Sequence, residues 1–383
     1  MRVRFAAVVV ALSLAGCAAQ PAANSAKDRA AEQDACMAAG TSRDADAAIR
    51  HCTNALPAPD LDKLTLAKML GIRGMGYSLK DDCDRAVLDY TESIAQAPDR
   101  APAYAGRGWC YHQKGDLKQA LTDLDKAIAL NGRYADAYAS RGWLYLDLDA
   151  PDQALADFNN ATALDPEQDD GHRGLGMTHA RKGDYAAALT AMNAVVRLKP
   201  KDPASFVSRS LVKLLSGDWQ SAVDDAGKAI ALDPNRTAAY QTRATAFFIG
   251  GEIRSAIADL EQARRLETDN SFTYLWLYIA HWRLGADLDA ETREAKASDD
   301  VWPKILLRHY QGRATEQDVL AEVKDAKDYR AKARECTAAF FLAERDLSEG
   351  RRDAAREKLE HARDACPGTR LERAAAIAEL RRL

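Results

Sequence analysis

Cysteine and histidine are the side chains in this chain best suited to metal binding or nucleophilic chemistry, and the 383 residues contain seven of each. His51, His112, His172, His179, His281, His309 and His361 nowhere form HExxH, the spacing that sets two imidazoles on one helix face beside a carboxylate base. No two cysteines are separated by two residues, so neither a zinc-ribbon nor a dithiol redox motif is present. Gly71-Ile72-Arg73-Gly74-Met75-Gly76 is rich in glycine. A phosphate-cradling loop has to follow a strand, and this stretch reads as the middle of a helix. The expectation is no catalytic residue, no cofactor and no metal. What remains for the cysteines is covalent cross-linking.

The glycines have another explanation. Ala101–Tyr134 reads as two amphipathic helices broken at Gly115-Asp116, and it recurs in tandem with a period of 34 residues. The copies begin at Ala67, Ala101, Ala135, Asp169, Pro203 and Thr237. Repeat position 8 is small throughout (Gly74, Gly108, Gly142, Gly176, Ser210, Ala244), and position 20 is always alanine, which lets two helix backbones cross closely. Pro98, Pro166, Pro200 and Pro234 close the second helix, because proline cannot continue it. Arginine at position 7 (Arg73, Arg107, Arg141, Arg209, Arg243) accompanies aspartate at position 23 (Asp89, Asp123, Asp157, Asp225, Asp259). The fourth copy lacks both, with Leu175 and Ala191. Pairing inside each copy strands no partner, so five ion pairs are expected to fix the register of the hairpins.

This pattern resembles the tetratricopeptide repeat. The resemblance implies an all-α fold, a right-handed superhelical solenoid of antiparallel helix pairs, whose first helices line a concave groove. Position 9 on that groove runs Met75, Trp109, Trp143, Met177, Leu211 and Thr245, mostly large and apolar where polar residues are common. Tryptophans are rigid anchors and methionines adapt to varied partners. Arg173 and Arg181 are expected to add positive charge, and Leu214 and Phe248 to extend the apolar strip. The alternative is that the C-terminal region curls in and covers the stripe. The lysine and asparagine of a carboxylate clamp are missing, with Ala105, Trp109, Ala139 and Trp143 in their places.

At the N-terminus, Arg2 and Arg4 precede an apolar run from Phe5 to Leu14, too short for an ordinary membrane helix, and then Leu14-Ala15-Gly16-Cys17. This is similar to the lipobox of bacterial lipoproteins, which implies cleavage before Cys17, lipidation of Cys17 and, with Ala18 following, an outer-membrane lipoprotein facing the periplasm. An ordinary secretory leader is the alternative. Six cysteines remain, and in an exported protein an even set suggests disulfides. In a hairpin closed near repeat position 15, residues face each other when their positions sum to about 32. Cys36 and Cys52 satisfy this in a degenerate first repeat, and Cys336 and Cys366 in a final one, so both bridges are expected. Cys83 and Cys110 lie on neighbouring helices at different heights, and a bridge or two buried thiols are both open.

After Asn270 the repeat decays through SFTYLWLYIAHWRLG, WPKILLRHYQGRATEQDVLAEV, ECTAAFFLAERDLSEGRRDAAREKLEHA and ERAAAIAEL. This order, with the lipobox, resembles the NlpI type of tetratricopeptide lipoprotein. The resemblance implies a non-enzymatic scaffold or adaptor of the cell envelope, whose partners are periplasmic proteins such as peptidoglycan hydrolases and a periplasmic protease. It also implies a homodimer, with Trp276, Tyr278 and Trp282 as candidate contacts. The segments expected are a signal peptide (1–16), lipidated cysteine and tether (17–28), a degenerate repeat with its disulfide (29–66), six tandem repeats (67–270), a degenerate and irregular helical segment (271–335), and a C-terminal repeat with terminal helix (336–383). The net charge of −4 carries no basic stripe, which excludes nucleic acid as the expected partner and leaves the lipid anchor as the contact with membrane. Two alternatives stand beside this: a pilotin or assembly lipoprotein for a secretin or pilus, and an enzyme with an unrecognised site in 286–335.

Overall fold

The computed structural model describes residues 26–58, 61–268, 270–285, 302–325, 331–366 and 370–383. Among these every regular element is a helix, and none is long and apolar enough to cross a membrane. The leader, Cys17 and, in the segment 286–335, residues 286–301 and 326–330 lie outside the described residues. The chain forms two compact units, Met1–Cys110 and Tyr111–Leu383.

In the first unit α1 (Ala26–Ser42) pairs with α2 (Ala45–Ala55), and α3 (Lys63–Leu79) pairs with α4 (Cys83–Gln96). The unit ends inside α5 (Ala101–Gln113). The second unit continues with α6 (Leu117–Leu130), α7 (Ala135–Asp147), α8 (Pro151–Leu164), α9 (Asp169–Arg181), α10 (Tyr185–Leu198), α11 (Pro203–Ser216), α12 (Trp219–Leu232), α13 (Thr237–Gly250) and α14 (Ile253–Leu266). Then come α15 (Ser271–Leu284), α16 (Lys304–Tyr310), α17 (Glu316–Asp325), α18 (Ala331–Ser348), α19 (Arg352–Ala365) and α20 (Leu371–Arg382). From α6 to α15 each helix packs on the next, and the first helices α7, α9, α11 and α13 also pack side by side. The final pair starts at Ala331, ahead of the expected boundary at Cys336, and α1 already begins at Ala26, inside the expected tether.

The turn inside each hairpin follows from two adjacent residues. Position 15 takes a left-handed conformation, at φ 81° in Gly115, 82° in Gly183, 92° in Gly217 and 84° in Gly251. Glycine meets no Cβ penalty there. Asp81 and Asp149 hold the same position at φ 60° and 59°, which aspartate tolerates better than most side chains. Where position 16 is aspartate it caps the second helix, its carboxylate accepting from the amide three residues on, as Asp184 does from Ala187 at 3.0 Å; Ala150 and Glu252 make no such bond.

Close crossing has a second component besides position 8. A Cβ on Gly142 would lie 2.8 Å from the Phe158 ring, and one on Gly174, in the next copy, would overlap the same ring. Tyr90 likewise wedges between Gly74 and Gly106. A large ring at position 24 is therefore matched by glycine at position 6 of the following copy, whereas Leu124 and Met192 face copies with Ser140 and Ser208 there. Gly174→Ala is expected to cost about 2 kcal/mol by overpacking, measured by urea unfolding. Combined with Phe158→Leu, the cost should be clearly less than the sum of the two single losses.

The ion pairs form within repeats. Arg73 grips Asp89, Arg141 grips Asp157, Arg209 grips Asp225 and Arg243 grips Asp259, each through Nε and Nη2 on the two carboxylate oxygens at 2.7–2.8 Å. Arg107 and Asp123 fall in different units, and their pairing stays an expectation. The arginines also reach back to the preceding second helix: Arg107 Nη1 donates to Thr91 Oγ1 at 3.2 Å, Arg141 to Asp125 at 2.6 Å and Arg209 to Asn193 at 2.9 Å. One fork thus joins three helices, setting the spacing between repeats as well as the hairpin register.

At the C-terminal end, Trp276 is 5% and Tyr278 2% exposed. Trp276 packs against Phe248, Phe340 and Phe341, while Trp282 stacks on Tyr310 with ring centroids 5.0 Å apart and Arg345 on its ring. Trp276 and Tyr278 are core of their own chain, and Trp282 is partly buried against that core. The expected dimer contact is corrected for Trp276 and Tyr278, which are buried where α14, α16 and α18 pack on α15 and Phe248 of α13 meets Trp276; for Trp282, half-buried, it stays an expectation.

Candidate partner-binding surface

Trp143 on α7, Met177 on α9 and Leu211 on α11 hold one register position on neighbouring first helices, and each is half-buried. The Trp143 ring lies edge-on to Phe158, centroids 5.3 Å apart, and its Nε1 donates to Asp170 Oδ2 at 3.2 Å. Packing on one side and a hydrogen bond at the tip fix the indole while leaving part of it to solvent. Burial pushes the Asp170 carboxyl above its ordinary value, and the indole N–H and Arg173 act against that shift. In the first unit Met75 on α3 and Trp109 on α5 are half-buried in the same register.

Other expected members of this surface differ. Arg173 is held by Asp169 at 3.0 Å and lies 3.7 Å from Asp202. Arg181 donates to the Leu146 carbonyl at 2.6 Å and pairs with Asp149 at 2.7 Å, and Lys332 also pairs with Asp149. Arg173 is thus paired inside the chain, whereas Arg181 shares the single Asp149 carboxylate with Lys332, so positive charge remains at that place. Leu214 and Phe248 are 2% and 1% exposed. Helix α20 packs on α11 and α13, Ala374 joins the cluster that contains Leu214, and Phe248 lies beneath Trp276 and Arg283. Here the chain covers its own groove, and the strip offered to a partner does not extend through Leu214 and Phe248.

Helix α20 is held there by charge. Arg283 on α15 sits between Glu344 on α18 at 3.0 Å and Glu379 on α20 at 2.6 Å. Arg382 pairs with Glu379 and donates to the Phe248 and Ile249 carbonyls at the end of α13, where a helix leaves its last carbonyls unpaired. Among the described residues no three His, Cys, Asp or Glu side chains are placed to hold a metal ion.

Residues 101–134 and 139–203 each match a tetratricopeptide repeat family model. These two stretches are tetratricopeptide repeats. The chain is similar to a tetratricopeptide repeat protein from Parabacteroides merdae, at 18% identity and TM-score 0.50 over 66% of this chain and 99% of that one. It is also similar to Cut9–Hcn1, a hetero-tetramer of the APC/C, at 16% identity and TM-score 0.56 over 64% of this chain and 48% of that one. Both likenesses concern the fold. A comparison with curated protein sequences gives no match. Tetratricopeptide solenoids are protein-interaction scaffolds, which makes Trp143, Met177 and Leu211 the candidate anchors in the second unit and Met75 and Trp109 those in the first. Sequence reading missed Asp170 as the residue orienting Trp143. The only signal for it was an aspartate at position 2 of the following repeat.

Proposed function

We propose that this protein is a non-enzymatic adaptor of the bacterial cell envelope, lipidated at Cys17, anchored in the outer membrane and facing the periplasm. It binds periplasmic proteins through the first helices of its repeats. By its resemblance to the NlpI type, it gathers peptidoglycan hydrolases or presents them to a periplasmic protease. The observation that carries the reading is the indole of Trp143, fixed by Phe158 and Asp170 yet half-exposed. A pre-oriented aromatic loses little entropy on binding and suits a protein hot spot. The Cys36–Cys52 and Cys336–Cys366 bridges fit an oxidising compartment. A membrane tether raises the local concentration of whatever the solenoid holds. Affinity capture from envelope extracts through the intact lipoprotein tests this: peptidoglycan endopeptidases are the expected recoveries. Selective recovery of a secretin would replace the proposal with an assembly role.

A further inference from the structure

The two terminal bridges each lie inside one helix pair: Cys36 joins α1 to Cys52 on α2, and Cys336 joins α18 to Cys366 just past α19, with Cα atoms 4.8 and 4.7 Å apart. The remaining two described cysteines sit differently. Cys83 opens α4 and Cys110 lies near the end of the first unit on α5, so they face each other across the boundary between consecutive repeats. Their sulfurs are 2.7 Å apart, and Cys110 Sγ is also 3.5 Å from Ser78 Oγ. Atoms that are not bonded keep roughly 3.5 Å apart, and a thiol is too weak a donor to draw a second sulfur much closer. The separation is shorter than such a contact and longer than a covalent S–S bond, so the two sulfurs are placed to bond.

The register says what this place normally holds. Cys83 is position 17 of its copy and Cys110 position 10 of the next. The corresponding residues in later copies are Leu117 with Leu144, Pro151 with Thr178, Tyr185 with Val212, and Trp219 with Ala246. Apart from Thr178 these are apolar residues at the place where one repeat stacks on another, and the last two pairs lie in a single core cluster. Here two cysteines replace such a contact, with Tyr77, Tyr90 and Val87 around them. A neutral disulfide suits that apolar setting, whereas a metal would need further ligands, and no such group is present among the described residues.

We propose that Cys83 and Cys110 form a third disulfide, which locks the second helix of the first full repeat to the first helix of the next. Cys83 is 9% exposed and Cys110 is 0% exposed, which sets the order of events. The Cys83 thiolate attacks the disulfide of an oxidant of the thiol–disulfide exchange class, an oxidised dithiol protein or glutathione disulfide, and releases one of its sulfurs as thiolate. The Cys110 thiolate then attacks Cys83 Sγ of the mixed disulfide and releases the second. The protein loses two protons and two electrons, and the oxidant's disulfide gains them as two thiols. Trp109 neighbours Cys110 on α5, so the bridge also fixes the helix that carries this anchor against α4. The inference does not depend on the identity of any partner.

The test uses the full chain, purified without reductant, exposed to glutathione disulfide, alkylated while denatured and digested without reduction. Mass spectrometry should find a peptide linking Cys83 to Cys110, two hydrogens lighter than the two thiol peptides together. Recovery of both as alkylated thiols, with Cys36–Cys52 and Cys336–Cys366 still bridged in the same sample, would overturn the proposal. A second measurement compares melting. Reductant should lower the melting temperature of the wild type by more than that of the Cys83→Ala/Cys110→Ala variant, and an equal drop in both counts against the bridge.

Discussion

Asp225→Ala is expected to destabilise the protein by about 3 kcal/mol, read from the midpoint of urea unfolding, because it removes one partner of a buried pair and leaves the other's charge uncompensated. Asp225 is fully buried and receives the Arg209 fork, with Lys213 Nζ at 2.7 Å and Lys228 Nζ at 3.6 Å. Burial by itself would push its carboxyl up, but the hydrogen bonds of Arg209 and Lys213 outweigh that and hold it below the ordinary value. The chain contains its own control. In the fourth repeat the two positions are Leu175 and Ala191, and α9 packs on α10 without the pair. Arg209→Leu together with Asp225→Ala copies that repeat and should recover most of the loss, with Lys213 free to turn to solvent. If the double variant is as unstable as the single one, the pair acts through something other than charge compensation.

The second large effect is on pH dependence. Burial, reinforced by Glu379 and only partly offset by Arg283, pushes the pKa of Glu344 up to about 7. Facing it are Arg283 from α15, Glu379 and Arg382 from α20, and the buried Tyr310 from α16. The folded pKa lies above the ordinary 4.5, so the folded state holds this proton where the unfolded chain releases it. The group's contribution is therefore complete below about pH 4.5 and is lost as pH rises to about 7, a change of up to roughly 3 kcal/mol. Carboxylates with lowered values, Asp225 among them, slope the other way. The measurement is accordingly the difference in unfolding free energy between wild type and Glu344→Gln from pH 4.5 to 7.5. It should shift steadily in favour of the variant as pH rises, and a flat difference contradicts this reading of the cluster.

The fold was legible because the repeat supplies several readings of one pattern. Small residues at positions 8 and 20, the turn at positions 15 and 16, and the paired Arg and Asp each recur, so periodicity and spacing agree. The backward contacts of the arginines were not legible, since their acceptors, Thr91, Asp125 and Asn193, share a position but no residue type. Nor was the role of α15. A helix apolar on every side has no face from which to tell core from interface, and Trp276 and Tyr278 were assigned outward where the structure buries them. Helix α20 failed for the opposite reason. Its buried residues include Glu372 and Glu379 beside three alanines, and a rule that keeps carboxylates at the surface points away from such a helix as core. That helix decided the outcome for Leu214 and Phe248. Trp143 is half-exposed at its repeat position, while the aspartate that orients it left no pattern in the sequence.

The proposed adaptor role rests on tryptophans held ready for a protein partner, and the most direct measurement is quantitative capture of envelope proteins by wild type and by the Trp109→Ala/Trp143→Ala variant, each checked for retained helical circular dichroism. Loss of a central anchor weakens binding by on the order of tenfold or more, so under the proposed role the endopeptidase captured by wild type is expected to fall by at least that factor in the folded variant. Undiminished capture by a folded Trp109→Ala/Trp143→Ala protein would contradict it and place the binding surface elsewhere.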